Sequence, residues 1–278
     1  MIVTGQISQV RAFRSHHTPA QIGFVPTMGY LHEGHLSLVQ QAKEENDVVV
    51  VSIFVNPTQF APTEDLETYP HNLERDLQLL AELKVDLVFN PDTVTMYPPG
   101  FQTIVLVEQL STALEGRTRP SHFQGVTTVV AKLFNIVQPT RAYFGQKDAQ
   151  QCVVIKRMVG DLDLDLEIVV CPIVREHDGL AMSSRNVRLA EKDRAAAPII
   201  SHALLKTAEL YTGGERSCEN LRQFMLGLLA TESRARVDYV SVADPQSLEE
   251  LVTIENEALL STAVYFGDVR LIDNLLLA

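Results

Sequence analysis

Apolar and polar positions alternate in two registers along this chain. As far as Cys171-Pro172, short β-branched runs are interleaved with segments of helical spacing, the mark of βα units on a parallel sheet. Residues 21–25 predict a strand running into Pro26, and Leu36, Leu38, Val39 and Ala42 follow on one helical face as far as Glu45. Residues 48–55 are almost wholly apolar, as in a central strand covered on both sides. Residues 72–83 predict an amphipathic helix, and residues 86–89 a strand stopped by Asn90-Pro91. Residues 103–107 read as a further strand. Residues 125–137 read as a buried helix, their length deciding against the strand that 126–130 alone would allow. Short strands at 142–144 and 166–170 bracket a helix over 149–159.

Beyond Cys171-Pro172 the texture changes. Residues 191–211 predict one long helical stretch, Gly213-Gly214 break it, and residues 219–230 form a second helix. Residues 237–242, 263–266 and 270–272 resemble strands of a small antiparallel sheet. The expectation is therefore an α/β domain followed by a smaller α+β domain, with the boundary near 172–180.

Composition narrows the function classes. Of 278 residues, 46% are apolar and 21% charged, which excludes disordered and fibrous classes. Acidic residues number 35 against 23 basic ones, a formal charge of −12. That field repels a phosphate polymer or an anionic bilayer, so neither nucleic acid nor membrane is expected as a partner. Small anions remain admissible where basic groups gather. Cys152, Cys171 and Cys218 are odd in number and widely spaced, as in a chain kept reduced. The opening MIVTGQISQVRAF lacks the apolar centre of a secretion signal, and a cytoplasmic location is expected.

The chemistry is densest at Pro26-Thr27-Met28-Gly29-Tyr30-Leu31-His32-Glu33-Gly34-His35, where a strand gives way to a glycine-containing turn and a helix. Imidazoles at i and i+3 share a helix face. The unpaired N–H groups of a helix start suit a phosphate. A zinc protease would need His-Glu-x-x-His, and neither the phosphate loop G-x-x-x-x-G-K-[ST] nor G-x-G-x-x-G is present. Met182-Ser183-Ser184-Arg185, after the Asp178-Gly179 turn, offers hydroxyls and a planar charged fork. Lys147-Asp148 follows Gly145 at a strand end, where open α/β sheets bind ligands; Lys147 can hold a phosphate oxygen and Asp148 can accept from a ribose hydroxyl. Asn56-Pro57-Thr58-Gln59 follows the buried strand, and the Gln59 amide can both donate and accept.

His-x-Gly-His at the first strand-to-helix turn, with a Ser-containing basic loop late in the chain, resembles the nucleotidyltransferase superfamily that includes class I aminoacyl-tRNA synthetases. Six blocks narrow the match: PTMGYLHEGH (26–35), FVNPTQF (54–60), RPSHFQGV (119–126), FGQKDAQQ (144–151), DGLAMSSRN (178–186) and RLIDN (270–274). Their order and spread over essentially the whole chain are similar to the pantothenate synthetase (pantoate–β-alanine ligase) family. Tyr30, Ser121 and Ala149 stand where variation is expected.

The resemblance implies a Rossmann-like parallel-sheet N-terminal domain, residues 1–173, binding ATP and pantoate, and a C-terminal α+β lid domain, residues 174–278, in a homodimer. It implies ATP-dependent condensation of pantoate with β-alanine through a pantoyl adenylate, releasing AMP and pyrophosphate. Catalytic roles fall on His32, His35, Lys147 and Arg185, with His35 as proton donor. ATP contacts fall on those four and on Pro26, Thr27, Met28, Gly29, Gly34, Gly145, Gln146, Asp148, Val174, Met182, Ser183 and Ser184. Pantoate and β-alanine contacts fall on Asn56, Gln59 and Gln151, and Arg119 steers anionic substrate or orders a flap. Mg²⁺ is expected with ATP, chiefly on phosphate oxygens, with Asp76 as a nearby acid. The 178–186 loop is expected to order when ATP binds. His16, His17, His71, His122, His177 and His202 receive no role. Three alternatives stay open: an adenylyltransferase that keeps AMP on its product, an RNA-binding relative of the synthetases, and an inactive ATP-binding module. The acidic charge argues against the second, and intact His32, His35, Lys147 and Arg185 against the third.

Overall fold

Six parallel strands account for the apolar runs of the first half: β1 (Ile2–Thr4), β2 (Ile22–Thr27), β3 (Val48–Ile53), β4 (Leu87–Phe89), β5 (Arg141–Gly145) and β6 (Glu167–Cys171). They lie side by side in the order β1-β4-β3-β2-β5-β6, every neighbouring pair parallel. β3 is buried at all six positions, since neighbours flank it and side chains cover both faces. The crossovers carry α1 (Ile7–His16), α2 (Glu33–Glu45), α3 (Leu73–Glu82), α4 (Thr93–Met96), α5 (Glu115–Thr118), α6 (His122–Val137) and α7 (Ala149–Asp161). The computed structural model describes residues 1–61 and 66–278. Contacts divide the chain into two units, residues 1–145 with 154–172, and residues 146–153 with 173–278.

In the first unit, Val25, Val39, Val49, Val51, Leu80, Val88 and Tyr143 form a buried cluster. From β2 the chain moves to β3 and β4 on one side and later resumes at β5 on the other. Strand order reverses at β2, the kind of point outside whose carboxyl end open parallel sheets take their ligands. The turns after β2 and β3 leave from that end. The second unit contains α8 (Glu191–Ala196), α9 (Ile199–Thr212), α10 (Cys218–Leu229) and the antiparallel sheet β7-β8-β9 (Ala235–Ala243, Ala258–Phe266, Val269–Leu277). Ile200, Leu204, Leu221, Met225, Val242, Leu260, Val264 and Phe266 make its core.

Several readings of the sequence are revised. Residues 103–107 are not a strand: no neighbouring strand pairs with them, and Val105 instead exchanges hydrogen bonds with the Thr127 and Thr128 hydroxyls. The single helix expected over 191–211 is two, α8 and α9, because Pro198 has no N–H to donate and interrupts the hydrogen-bond ladder, although Ala197 and Pro198 keep helical backbone. The C-terminal strands are each nine residues long, and β8 is buried at eight of them, so it shows no alternation to read. β1 and α1 had no counterpart in the sequence reading.

Among the described residues no helix is long and apolar enough to cross a membrane. All three cysteines are free and buried, and burial, with the Glu45 charge adding, pushes the Cys171 thiol up to about 11.

One close approach fixes the turn after β3. α6 packs against the 3₁₀ turn Pro57–Gln59 at Gly125, where a Cβ would stand 2.4 Å from the Thr58 carbonyl oxygen and 2.6 Å from the Gln59 nitrogen. Both are backbone atoms that no rotamer change can move. Gly125→Ala is expected to cost about 1–3 kcal/mol of stability, an overpacking penalty, read as a shifted midpoint in chemical denaturation.

Candidate active site

The turn from β2 into α2 is built from its own side chains. Thr27 donates its hydroxyl to the Ser52 carbonyl at 2.8 Å and accepts the Gly29 N–H at 3.2 Å. Gly29 has φ +86°, and a Cβ there would stand 3.2 Å from Asp76 Oδ2, so glycine answers both the backbone and the space. Tyr30 also lies in the left-handed region, at φ 52°. Its N–H donates to Asp76 Oδ2 at 2.7 Å, and the Leu31 N–H donates to Asp76 Oδ1 at 2.8 Å. Arg75 completes the grip from α3: it donates to the Leu31 carbonyl at 2.8 Å, and its guanidinium lies 5.6 Å from the centre of the Tyr30 ring.

Asp76, expected as an acid near a metal, accepts a backbone amide on each of its oxygens, with the side chain 1% exposed. Burial pushes its carboxyl up, while the Leu31 and Tyr30 amides and then Arg75 pull it back.

His32 is the N-cap of α2 and His35 its third residue, and the two cap each other. His32 Nδ1 accepts the Gly34 N–H at 3.2 Å; His35 Nδ1 accepts the His32 N–H at 3.4 Å. The rings lie 4.0 Å apart, centre to centre. An N–H can meet only a lone pair, so both Nδ1 atoms are bare, and in each neutral ring Nε2 carries the proton. The arrangement sets two imidazole Nε2–H donors at the positive end of a 13-residue helix.

The turn after β3 is a nest of amides. Asn56, 1% exposed, donates to Gln59 Oε1 and to the Gly125 carbonyl, both at 3.1 Å. Its Oδ1 accepts from the Tyr97 hydroxyl at 2.8 Å and the Thr58 hydroxyl at 3.0 Å. Both amide hydrogens are therefore taken by protein acceptors, and Asn56 holds Gln59 in place. Gln59 itself is buried, with Nε2 3.1 Å from Met28 Sδ. Its carbonyl lies 2.8 Å from His122 Nδ1 and accepts a longer bond, at 3.4 Å, from Arg119.

In the second unit, Gln146–Asp148 forms a 3₁₀ turn directly after Gly145, the last residue of β5. Lys147 Nζ lies 3.5 Å from Asp148 Oδ1. Gln151 follows in the first turn of α7, half-buried. Residues 174–182 fold back on themselves: the Met182 N–H donates to the Val174 carbonyl, and Arg175 bridges Ala181. Ser183 caps the 3₁₀ turn Ser184–Arg188 by accepting the Arg185 N–H at 3.2 Å. The loop expected to order when ATP binds carries internal braces. Arg194 pairs with Glu176 and Asp178, both at 2.6 Å, and Asn186 donates to Glu176 at 2.7 Å.

The first unit thus gathers Pro26, Thr27, Met28, Gly29, His32, Gly34, His35, Asn56 and Gln59 on two adjacent strand ends. The second carries Gln146, Lys147, Asp148, Gln151, Val174, Met182, Ser183, Ser184 and Arg185. The turn-holding work of Asp76, Arg75 and His122 was missed, since nothing in a helix-borne Asp or a lone His announces a distant backbone partner. Among the described residues no three His, Cys, Asp or Glu side chains gather to hold a metal ion.

Comparison with known proteins gives a consistent result. A family model described as Pantoate-beta-alanine ligase matches residues 2–276. A pantothenate synthetase of Herpetosiphon aurantiacus is 55% identical over 278 residues, covering all of both chains. One of Chloroflexus aurantiacus is 60% identical over 257 residues, 92% of each. Among solved structures, pantothenate synthetase of Thermus thermophilus superposes with a TM-score of 0.95 at 47% identity, covering 99% of both chains. The Francisella tularensis pantoate-beta-alanine ligase, solved with a β,γ-ATP compound and β-alanine, gives 0.81 at 40% identity over 99% of this chain and 97% of that one. With the strand order, the paired histidines and a match along nearly its whole length, the chain belongs to the pantoate–β-alanine ligase family, ligases that form a C–N bond.

Proposed function

We propose that this protein condenses pantoate with β-alanine, using ATP, through a pantoyl adenylate. A pantoate carboxylate oxygen attacks the α-phosphorus while the bond to the β-phosphate breaks and pyrophosphate leaves. The β-alanine amine nitrogen then attacks the acyl carbon, AMP leaves with the former carboxylate oxygen, and the nitrogen loses a proton. The observation that carries this reading is the reciprocal histidine cap. Attack at phosphorus needs donors held where charge develops far more than it needs a protein nucleophile. Two Nε2–H groups fixed by the backbone at a helix N-terminus are such donors, with His35 giving its proton to the leaving pyrophosphate.

Lys147 and Arg185 supply the positive charge that phosphate oxygens require, and Asp148 accepts from the ribose. Ser183 and Ser184 add hydroxyls, and the 174–182 backbone meets the adenine beside Val174 and Met182. Gln59 reads the pantoate carboxylate and hydroxyls, with Gln151 as a second amide reader. Gln59 is suited to that work because Asn56, Met28 and His122 hold it from three sides. Mg²⁺ accompanies the triphosphate and takes its ligands chiefly from the phosphate oxygens. The protein works as a cytoplasmic homodimer.

The expected outcome with purified protein is that AMP and pyrophosphate accumulate only when pantoate, β-alanine and ATP are all present. Omitting β-alanine should leave at most one equivalent of pyrophosphate per site; sustained ATP turnover without the amine would count against an enzyme-held adenylate. Lys147→Ala and His35→Ala should each lower kcat by about two to four powers of ten while remaining folded, the range for loss of a preorganised donor. Near-normal turnover in both would reject the role assignment. Asp76→Asn puts an NH2 where a backbone N–H now finds an oxygen. It should cost about 1–3 kcal/mol in urea unfolding and lower kcat together with stability. A variant as stable and active as its parent would show that the turn does not depend on the carboxylate.

A further inference from the structure

The RLIDN block ends in two buried polar residues for which the reading above has no use. Asp273 and Asn274 lie on β9, and each is 3% exposed. The Asn274 side chain is committed entirely to one turn. It donates to the Gln146 carbonyl at 2.9 Å and to the Lys147 carbonyl at 3.0 Å, and its oxygen accepts from Gln146 Nε2 at 3.0 Å. Two consecutive carbonyls held by one amide fix the peptide planes on either side of Lys147, and with them the direction in which that side chain departs. The Asn274 N–H in turn donates to Asp273 Oδ1 at 2.8 Å.

Asp273 reaches the other anion-handling segment. It takes Arg175 in a two-pronged pair, at 2.6 Å and 3.1 Å, and Arg175 also donates to the Gly179 carbonyl at 3.1 Å. Arg175 opens the folded-back segment that leads to Ser183 and Arg185. Burial pushes the Asp273 carboxyl up; Arg175 pulls it back most strongly, and the Lys147 charge pulls in the same direction. Adjacent residues of one strand thus hold the backbone beneath Lys147 and the base of the loop bearing Arg185.

We infer that Asn274, with Asp273 beside it, is a positioning residue for phosphate handling, fixing the Lys147 turn and the root of the 174–186 loop relative to each other. The inference rests on the reading that Lys147 and Arg185 meet the triphosphate. A positioning role differs from a purely structural one in what a substitution moves.

Asn274→Ala is expected to weaken ATP binding in calorimetric titration by about tenfold and to lower kcat/KM for ATP by about ten- to a hundredfold, with the KM for pantoate within about threefold of its parent. In a Lys147→Ala background the same substitution should cost less than about threefold, because there is no longer an ammonium to place. A penalty carried undiminished into that background would overturn the inference. So would one falling equally on pantoate, or a folded Asn274→Ala with parental ATP affinity and turnover. Should Asn274→Ala fail to fold, Asn274→Ser keeps one donor and the same comparisons decide. Failure of the parent protein itself to release AMP from the three substrates would instead defeat the proposed reaction.

Discussion

The backbone N–H groups where β2 becomes α2 have no strand or helix partner of their own, and the structure around them is an answer to that need. Two are met by the Asp76 carboxylate, one by Thr27 and two by the histidine rings. A buried amide left without an acceptor costs about 1–3 kcal/mol, so five unmet in one turn would undo it. The sequence therefore supplies an acceptor for each. Because Asp76 stands in α3, the helix after β3 also determines where the histidines after β2 stand. The sheet supplies the carboxyl edge, and side chains from elsewhere give that edge its shape.

Legibility followed burial. β3 could be read because both its faces are covered, and α3 because its polar face is regular and Asn72 supplies the cap, accepting the Arg75 N–H at 3.1 Å. Residues 103–107 misled because a β-branched run satisfies propensity without guaranteeing a neighbour, and here threonine hydroxyls stand in for one. Pro198 sits inside a continuous helical pattern but brings no N–H to its hydrogen-bond ladder, so one apolar stripe spans two helices. Of β8 only residues 263–266 were legible, because Ser261 and Thr262 interrupt the apolar run that announces a fully covered strand such as β3.

The site was legible as a list of residues and opaque as a set of relations. Candidate reactive side chains can be named from sequence because motifs preserve identity and spacing. Those that hold them cannot: Asp76 looked like an acid near a metal, Asn56 like a ligand contact and His122 like a stray imidazole. Each proves to face a backbone group 45 to 69 positions away in the chain, and no local pattern reports that. Gly125 belongs with them, since the only trace of its role is the absence of a side chain.

Building a helix cap from the same rings that hold the donors has a practical consequence for dissecting this protein. Replacing His32 or His35 by alanine takes away an acceptor for backbone as well as a ring, so slow turnover and a frayed helix start arrive together. Asparagine at position 32 would keep an oxygen for the Gly34 amide and lose only the imidazole. The gap between His32→Ala and His32→Asn would measure how much of His32 belongs to architecture and how much to chemistry.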